Sequence, residues 1–164
     1  DCICLGAIGT GKTLLLKRLQ ASKAIDFTSS SVPTVGTTLK SIKLNSGRVV
    51  TIREVGGTMA PLWNQYYTNV PKIMFVVDAS NLCQISASGV LLYTLLSEPT
   101  LQKSKVLLVL SKMDASYRQM RNEALLMLQI NRLQKEIPQH ITIAEVSSFT
   151  SEGIDSILKW LDDK

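Results

Sequence analysis

The sequence predicts an α/β protein whose mostly parallel, six-stranded sheet is covered by helices on both faces. Three observations lead there. Strand-sized apolar runs, Cys2 to Leu5, Ile73 to Val77 and Val106 to Leu110, are apolar at every position, as strands buried on both sides are. Stretches with helical spacing of apolar residues lie between the strands, giving the order β-α-β-β-α-β-α-β-α-β-α. Directly behind the first run, Gly6-Ala7-Ile8-Gly9-Thr10-Gly11-Lys12-Thr13 fills the pattern G-x-x-x-x-G-K-[ST] at a strand-to-helix turn. In such a sheet, ligands bind at the carboxyl ends of the strands.

Taken in order, Cys2 to Leu5 forms the first strand, with Cys2 and Cys4 on one side, and Leu14, Leu15, Leu16 and Leu19 give the next helix its apolar stripe. Ala24 to Ser31, Ser-rich and aperiodic, reads as a loop closed by Pro33-Thr34-Val35-Gly36-Thr37. Leu39 to Leu44 and Arg48 to Val55 pair as a hairpin across Asn45-Ser46-Gly47, and Gly56-Gly57 ends the second strand. A loop-like, mobile stretch follows, carrying Pro61, Trp63, Tyr66 and Tyr67. Ile73 to Val77 ends at Asp78 as a central buried strand. Beyond it lie a helix from Ser88 to Ser97 stopped by Pro99, a strand from Val106 to Leu110, and the longest helix, Arg118 to Lys135, burying Leu126, Ile130 and Leu133. Ile141 to Val146 is the last strand. Ser151 is the expected N-cap of the final helix, which buries Ile154, Ile157, Leu158 and Leu161.

A single domain over residues 1–164 is expected, since 45% hydrophobic residues supply one proper core and no linker-like stretch divides the chain. The longest apolar runs fall far short of the roughly 20 residues that cross a membrane as a helix. Three cysteines without metal-ligand spacing, and no secretory signal, point to a reducing compartment. The formal net charge is +5, and its whole excess lies in residues 1–82, which hold nine Lys/Arg against four Asp/Glu, whereas the second half holds nine of each. That placement suits a polyphosphate site, an anionic lipid face or a plain solvated surface. No Arg-rich run or basic-aromatic interleaving marks a nucleic-acid surface. The chain opens at Asp1 rather than at a methionine, so a leading helix or lipid anchor would lie ahead of it.

Chemistry enters with the glycine-rich turn. Gly6, Gly9 and Gly11 let successive N–H groups point inward at an anion, and the helix opening near Lys12 adds its positive end. Lys12 reaches the outer phosphates of a nucleotide, and Thr13 offers a hydroxyl to the Mg²⁺ that a triphosphate carries. The cradle therefore runs from Gly6 through Ala7, Ile8, Gly9, Thr10, Gly11, Lys12 and Thr13 to Leu14. Asp78, ending an apolar strand, has the shape of a second metal carboxylate, as an ATP-using enzyme with this loop would carry.

Later strand ends name the base. Ser111-Lys112-Met113-Asp114 resembles the N-K-x-D motif of small GTPases, in which the aspartate accepts hydrogen bonds from guanine N1–H and its amine, donors that adenine does not pair. Ser147-Ser148-Phe149 occupies the place of their S-A-K. Thr34, in Pro33-Thr34-Val35-Gly36, resembles the P-T-x-G of the Arf family, and Gly57, in Glu54-Val55-Gly56-Gly57, the last glycine of D-x-x-G. With Pro61-Leu62-Trp63, Tyr66 and Phe75-Val76-Val77-Asp78-Ala79-Ser80, the chain resembles the Arf and Arf-like small GTPases from Ile3 to Leu161. The resemblance implies a P-loop NTPase of small-GTPase fold that binds GTP or GDP with Mg²⁺. Thr13 and Thr34 would meet the ion, and Glu54 would do so indirectly. The base would meet Ser111, Lys112, Asp114 and Ser147 to Phe149. It further implies a cytoplasmic protein of membrane traffic or ciliary transport, peripheral at Golgi or ciliary membranes. Effectors would read residues 33–67, and an exchange factor and an activating protein would set its state.

Three departures bear on mechanism. Thr58 stands where the family carries the glutamine that orients the attacking water; Thr58 and Lys12 are the candidate catalytic residues, and weak intrinsic hydrolysis is expected. Glu54 is one methylene longer than the family's aspartate, which puts the metal contact in question. Ser111 replaces an asparagine that in the family ties the base loop to the P-loop, which predicts reduced guanine affinity while Asp114 keeps the discrimination. Trp63, Tyr66 and Tyr67 read equally as core or as an effector face. Two alternatives stay open: a nucleotide-binding scaffold with little turnover, and an ATP-using enzyme with Asp78 on the metal.

Overall fold

The computed structural model describes residues 1–20, 34–116 and 118–164. Its elements are β1 (Cys2–Leu5), α1 (Lys12–Leu19), β2 (Thr37–Lys43), β3 (Val49–Val55), a 3-10 helical run (Gly57–Tyr66), β4 (Lys72–Asp78), α2 (Leu82–Leu96), β5 (Lys105–Ser111), α3 (Arg118–Met127), α4 (Ile130–Glu136), β6 (Ile141–Glu145) and α5 (Ile154–Asp162). Short 3-10 turns at Pro99–Leu101 and Met113–Ala115 flank β5. The loop expected at Ala24 to Ser31, and Pro33, lie outside the described residues.

The sheet runs β2-β3-β1-β4-β5-β6, with β2 antiparallel to β3 and the other pairs parallel. Alternation along each strand sorts the core onto two faces. Ile3, Leu5, Ile73, Phe75, Val77, Val106, Leu108 and Leu110 pack with residues of α2, α3 and α4. Cys2, Cys4, Met74, Val76, Leu107 and Val109 pack with Leu15, Leu16 and Leu19 of α1 and Ile154, Ile157 and Leu161 of α5. From β1 the chain fills one side of the sheet first and the other side afterwards. The order therefore reverses beside β1, and the crevice at its carboxyl end receives the Gly-rich turn.

Three element limits differ from expectation. α2 begins at Leu82, six residues before Ser88, because Ile85 already packs into the core and nothing between breaks a helix; Gly89, facing Leu128, is tolerated inside it. The helix expected from Arg118 to Lys135 is two helices, divided where Gln129 takes a left-handed conformation (φ 52°). The break turns Ile130 and Leu133 onto the core, while Ala124 and Leu128 carry the buried face of the first half and Leu126 is 78% exposed. Gln129's carbonyl then accepts from the N–H groups of Arg132 and Leu133, opening the second helix. At the last helix, Gly153 rather than Ser151 is the N-cap. A Cβ at Gly153 would lie 1.9 Å from the Glu145 carbonyl oxygen, so the chain can pass β6 only as glycine there.

The loop-like stretch after β3 is the 3-10 run, pinned by its aromatics. Trp63 is buried, its indole N–H donates to the Gly56 carbonyl at 3.1 Å, and its ring meets Phe75 edge-on at 6.3 Å. Tyr67 is buried too, while Tyr66 sits at the boundary under the Arg53 guanidinium, 5.6 Å from its ring centre. The aromatics are therefore divided, two in the core and one packed against its edge, half-buried.

Candidate functional site

The turn after β1 is pressed against β4. A Cβ at Gly6 would come within 2.4 Å of the Val76 carbonyl oxygen, so this first glycine is set by close approach. Thr10 donates to the Ala7 carbonyl at 3.1 Å, and Gly11, left-handed at φ 92°, caps α1 with its carbonyl accepting from Leu15. Lys12 is buried and bends back over the turn, its Nζ donating to the carbonyls of Gly6 at 3.0 Å and Ala7 at 2.8 Å. Burial lowers its pKa from the ordinary 10.5, against the pull of Cys4 and the Glu54 carboxylate. A third, longer contact runs to the Thr10 hydroxyl oxygen at 3.5 Å, and an anion in the cradle would compete for that place. Leu14 follows, half buried, and Ile8 is 45% exposed at the rim.

On one side of Lys12 three oxygen donors from distant segments meet. The Thr13 hydroxyl donates to Glu54 Oε1 at 2.5 Å and the Thr34 hydroxyl to the same oxygen at 3.1 Å, with the two hydroxyls 3.0 Å apart. Glu54 is 1% exposed. This is a hard-oxygen set that suits Mg²⁺. Among the described residues no group of three or more His, Cys, Asp or Glu is close enough to hold a metal alone, so phosphates and water would supply the rest of an ion's shell. Gly56 and Gly57 close this side. Their Cβ atoms would strike the Thr34 carbonyl oxygen at 2.0 Å and the Ile8 nitrogen at 2.5 Å, so each glycine lets one backbone reach another. Thr58, next along, is exposed.

On the other side lie the tetrad and the last strand's end. Ser111 joins the base loop to the P-loop. Its hydroxyl lies 2.5 Å from the Thr10 carbonyl oxygen and 3.0 Å from that of Val77, so serine makes a direct tie between the two. Lys112, left-handed at φ 58°, sends Nζ to the Gly9 carbonyl and to Asp78 Oδ2, both at 2.8 Å. The other oxygen of Asp78 accepts from Ser80 N–H at 2.9 Å and Ser80 Oγ–H at 2.6 Å. Asp78 thus ties loops together, and the carboxylate beside Thr13 is Glu54. Asp114 accepts from the Ser147 hydroxyl at 2.7 Å, and Ser147 in turn accepts the Thr150 N–H at 3.2 Å, so the 147–150 turn orients the aspartate.

Two positioning contacts had no signal in the sequence. Arg18 of α1 donates from Nε to the Ser148 carbonyl at 2.6 Å and from Nη2 to that of Phe149 at 3.2 Å, holding the 147–149 loop to the helix that begins the cradle. Gln84 of α2 donates to the Ile8 carbonyl at 2.7 Å. Both bridge residues far apart in the chain, and neither belongs to a motif.

Known proteins resemble this chain along nearly its whole length. The human ADP-ribosylation factor-like protein 16 is 39% identical over 166 residues, covering 98% of this chain and 83% of that protein. ADP-ribosylation factor-like protein 1 of Caenorhabditis elegans is 27% identical over 161 residues, covering 97% and 85%. Among solved structures, the Arl6 BBS3 small GTPase of Trypanosoma brucei, bound to the nucleotide analogue GppNp, superposes with a TM-score of 0.83 at 20% identity, covering 98% of this chain and 94% of that one. The model of the ADP-ribosylation factor family matches residues 1–164, and the chain belongs to that family of small GTPases.

Proposed function

We propose that residues 1–164 form one GTPase domain that binds GTP and GDP with Mg²⁺, changes its surface with the phosphate state and hydrolyses GTP slowly. The observation that carries this reading is the meeting of four separated segments around one P-loop: Thr34, Glu54 to Gly57, Ser111 to Asp114 and Ser147 to Phe149. Bound Mg²⁺ would neutralise charge between the outer phosphates. Lys12 would bind those phosphates, Thr13 and Thr34 would offer hydroxyls to the ion, and Asp114, held by Ser147, would select guanine. Exposed Thr58 is too short to orient water as a glutamine does, which favours an activating protein that supplies the missing group.

The surface from Thr34 to Tyr67 is where effectors and an exchange factor would read the state. Val35, Leu39 and Leu62 are exposed there, and a cavity of about 500 Å³, lined in part by Leu39, Arg53, Gln65 and Tyr66, opens on it. Roles in membrane or ciliary traffic, and a cytoplasmic protein peripheral at Golgi or ciliary membranes, follow from kinship alone. No described helix is long and apolar enough to cross a membrane. Asp114→Asn tests base selection. It should weaken GTP roughly 100-fold and favour xanthosine triphosphate, because the exchanged amide reverses one donor–acceptor match. Unchanged preference would remove the guanine assignment.

A further inference from the structure

Three consecutive carbonyls of the P-loop each accept a hydrogen bond from a side chain in another part of the fold. Gln84 of α2 donates to that of Ile8 at 2.7 Å, Lys112 to that of Gly9 at 2.8 Å, and the Ser111 hydroxyl to that of Thr10 at 2.5 Å. In a trans peptide the C=O and the following N–H point in opposite directions. Donors that draw these carbonyls outward therefore turn the N–H groups of Gly9, Thr10 and Gly11 toward the cradle, where an anion would meet them. Lys112 and Ser111 belong to the tetrad after β5. Gln84 comes from α2, which carries no nucleotide motif.

The place of Ile8 along the cradle says which phosphate this concerns. Thr10 lies against Ser111, on the side of the base loop. Ile8 lies toward the opposite end: a Cβ on Gly57 would come within 2.5 Å of its nitrogen, and its side chain is 45% exposed at the rim. A nucleotide with its base at Asp114 runs its phosphates from the Thr10 side toward Ile8, so the Gly9 N–H serves the end of that chain farthest from the base. We infer that Gln84 is a positioning residue for the outermost phosphate: its amide holds the Ile8–Gly9 peptide so that the Gly9 N–H faces a bound triphosphate. This inference rests on the guanine-nucleotide reading of the site and deepens it, because it assigns to α2 part of the preference between the two phosphate states.

Gln84→Met tests this, since it keeps the length and helix preference of the side chain and removes the donor. Two readouts are needed. One is the affinity for GDP and for a non-hydrolysable GTP analogue, both with Mg²⁺; the other is the NMR signal of the Ile8 carbonyl carbon in nucleotide-free protein. The variant should bind the GTP analogue about fivefold more weakly and GDP within about twofold of the parent, the scale of one partly exposed hydrogen bond. The Ile8 carbonyl signal should move upfield as its donor is lost. Equal weakening of both nucleotides would reduce Gln84 to a structural contact and overturn the assignment, as would unchanged affinities or an unmoved carbonyl signal. Failure of the nucleotide reading is separate: the parent itself would bind neither GDP nor the GTP analogue, while the carbonyl signal would still show whether Gln84 holds the peptide.

Discussion

The proposed slow hydrolysis rests on one side chain, Thr58. It is exposed at the start of the 3-10 run, immediately after a glycine whose Cα lies against the P-loop backbone. A longer amide from the same Cα would extend over the cradle's rim beside Ile8. Thr58→Gln should therefore raise single-turnover GTP hydrolysis about tenfold or more with little change in GTP affinity, measured as phosphate release from preloaded protein. An unchanged rate would mean that Thr58 is not the missing part. Residues of this kind were legible because their motif fixes their place. Ser111 was legible in position, and its partners were not. Its tie to Thr10 depends on two loops 101 residues apart closing to 2.5 Å, which no local pattern encodes. The same holds for Arg18 and Gln84, whose partners are backbone carbonyls, and every residue carries one of those.

At the scale of elements, strands and helices differed in how well they announced themselves. β1, β4 and β5 are continuous apolar runs between turn signals, and their limits fall within a residue or two of expectation. The division of α3 from α4 depends on which face must meet the core. Leu126 keeps the helical period yet points outward, because the chain turns at Gln129 to bring Ile130 and Leu133 inward. The start of α5 is likewise set from outside. Gly153 passes against Glu145, which is itself held by a two-bond ion pair from Arg121 at 2.9 and 3.0 Å. Gly153→Ala should destabilise the fold by about 2–4 kcal/mol, combining a left-handed alanine with a backbone clash. Urea unfolding reads it, and a loss under about 1 kcal/mol would show that the loop shifts freely. The far end of α5 is closed by Lys72, whose Nζ donates to the carbonyls of Trp160, Leu161 and Asp163.

Across the whole molecule, both edges of the cradle are joined to one sheet. The β2–β3 hairpin carries the segment of Thr34 and Glu54 to Gly57 together at its open end, away from the turn, so any movement of the pair would change what the phosphates meet. β5 and β6 deliver Ser111 to Asp114 and Ser147 to Phe149 from the opposite side, held by Arg18 and by the Lys112–Asp78 ion pair. The proposed phosphate site on one flank and base site on the other, on a mostly parallel sheet, are what a nucleotide sensor needs. The most direct measurement is competition of GTP, GDP and ATP for the site, with Mg²⁺ and with EDTA, alongside identification of the nucleotide that copurifies. The account predicts a guanine nucleotide in the purified protein, displacement by GTP and GDP, and ATP weaker by about 100-fold or more. Preference for ATP, or no nucleotide binding, would contradict it.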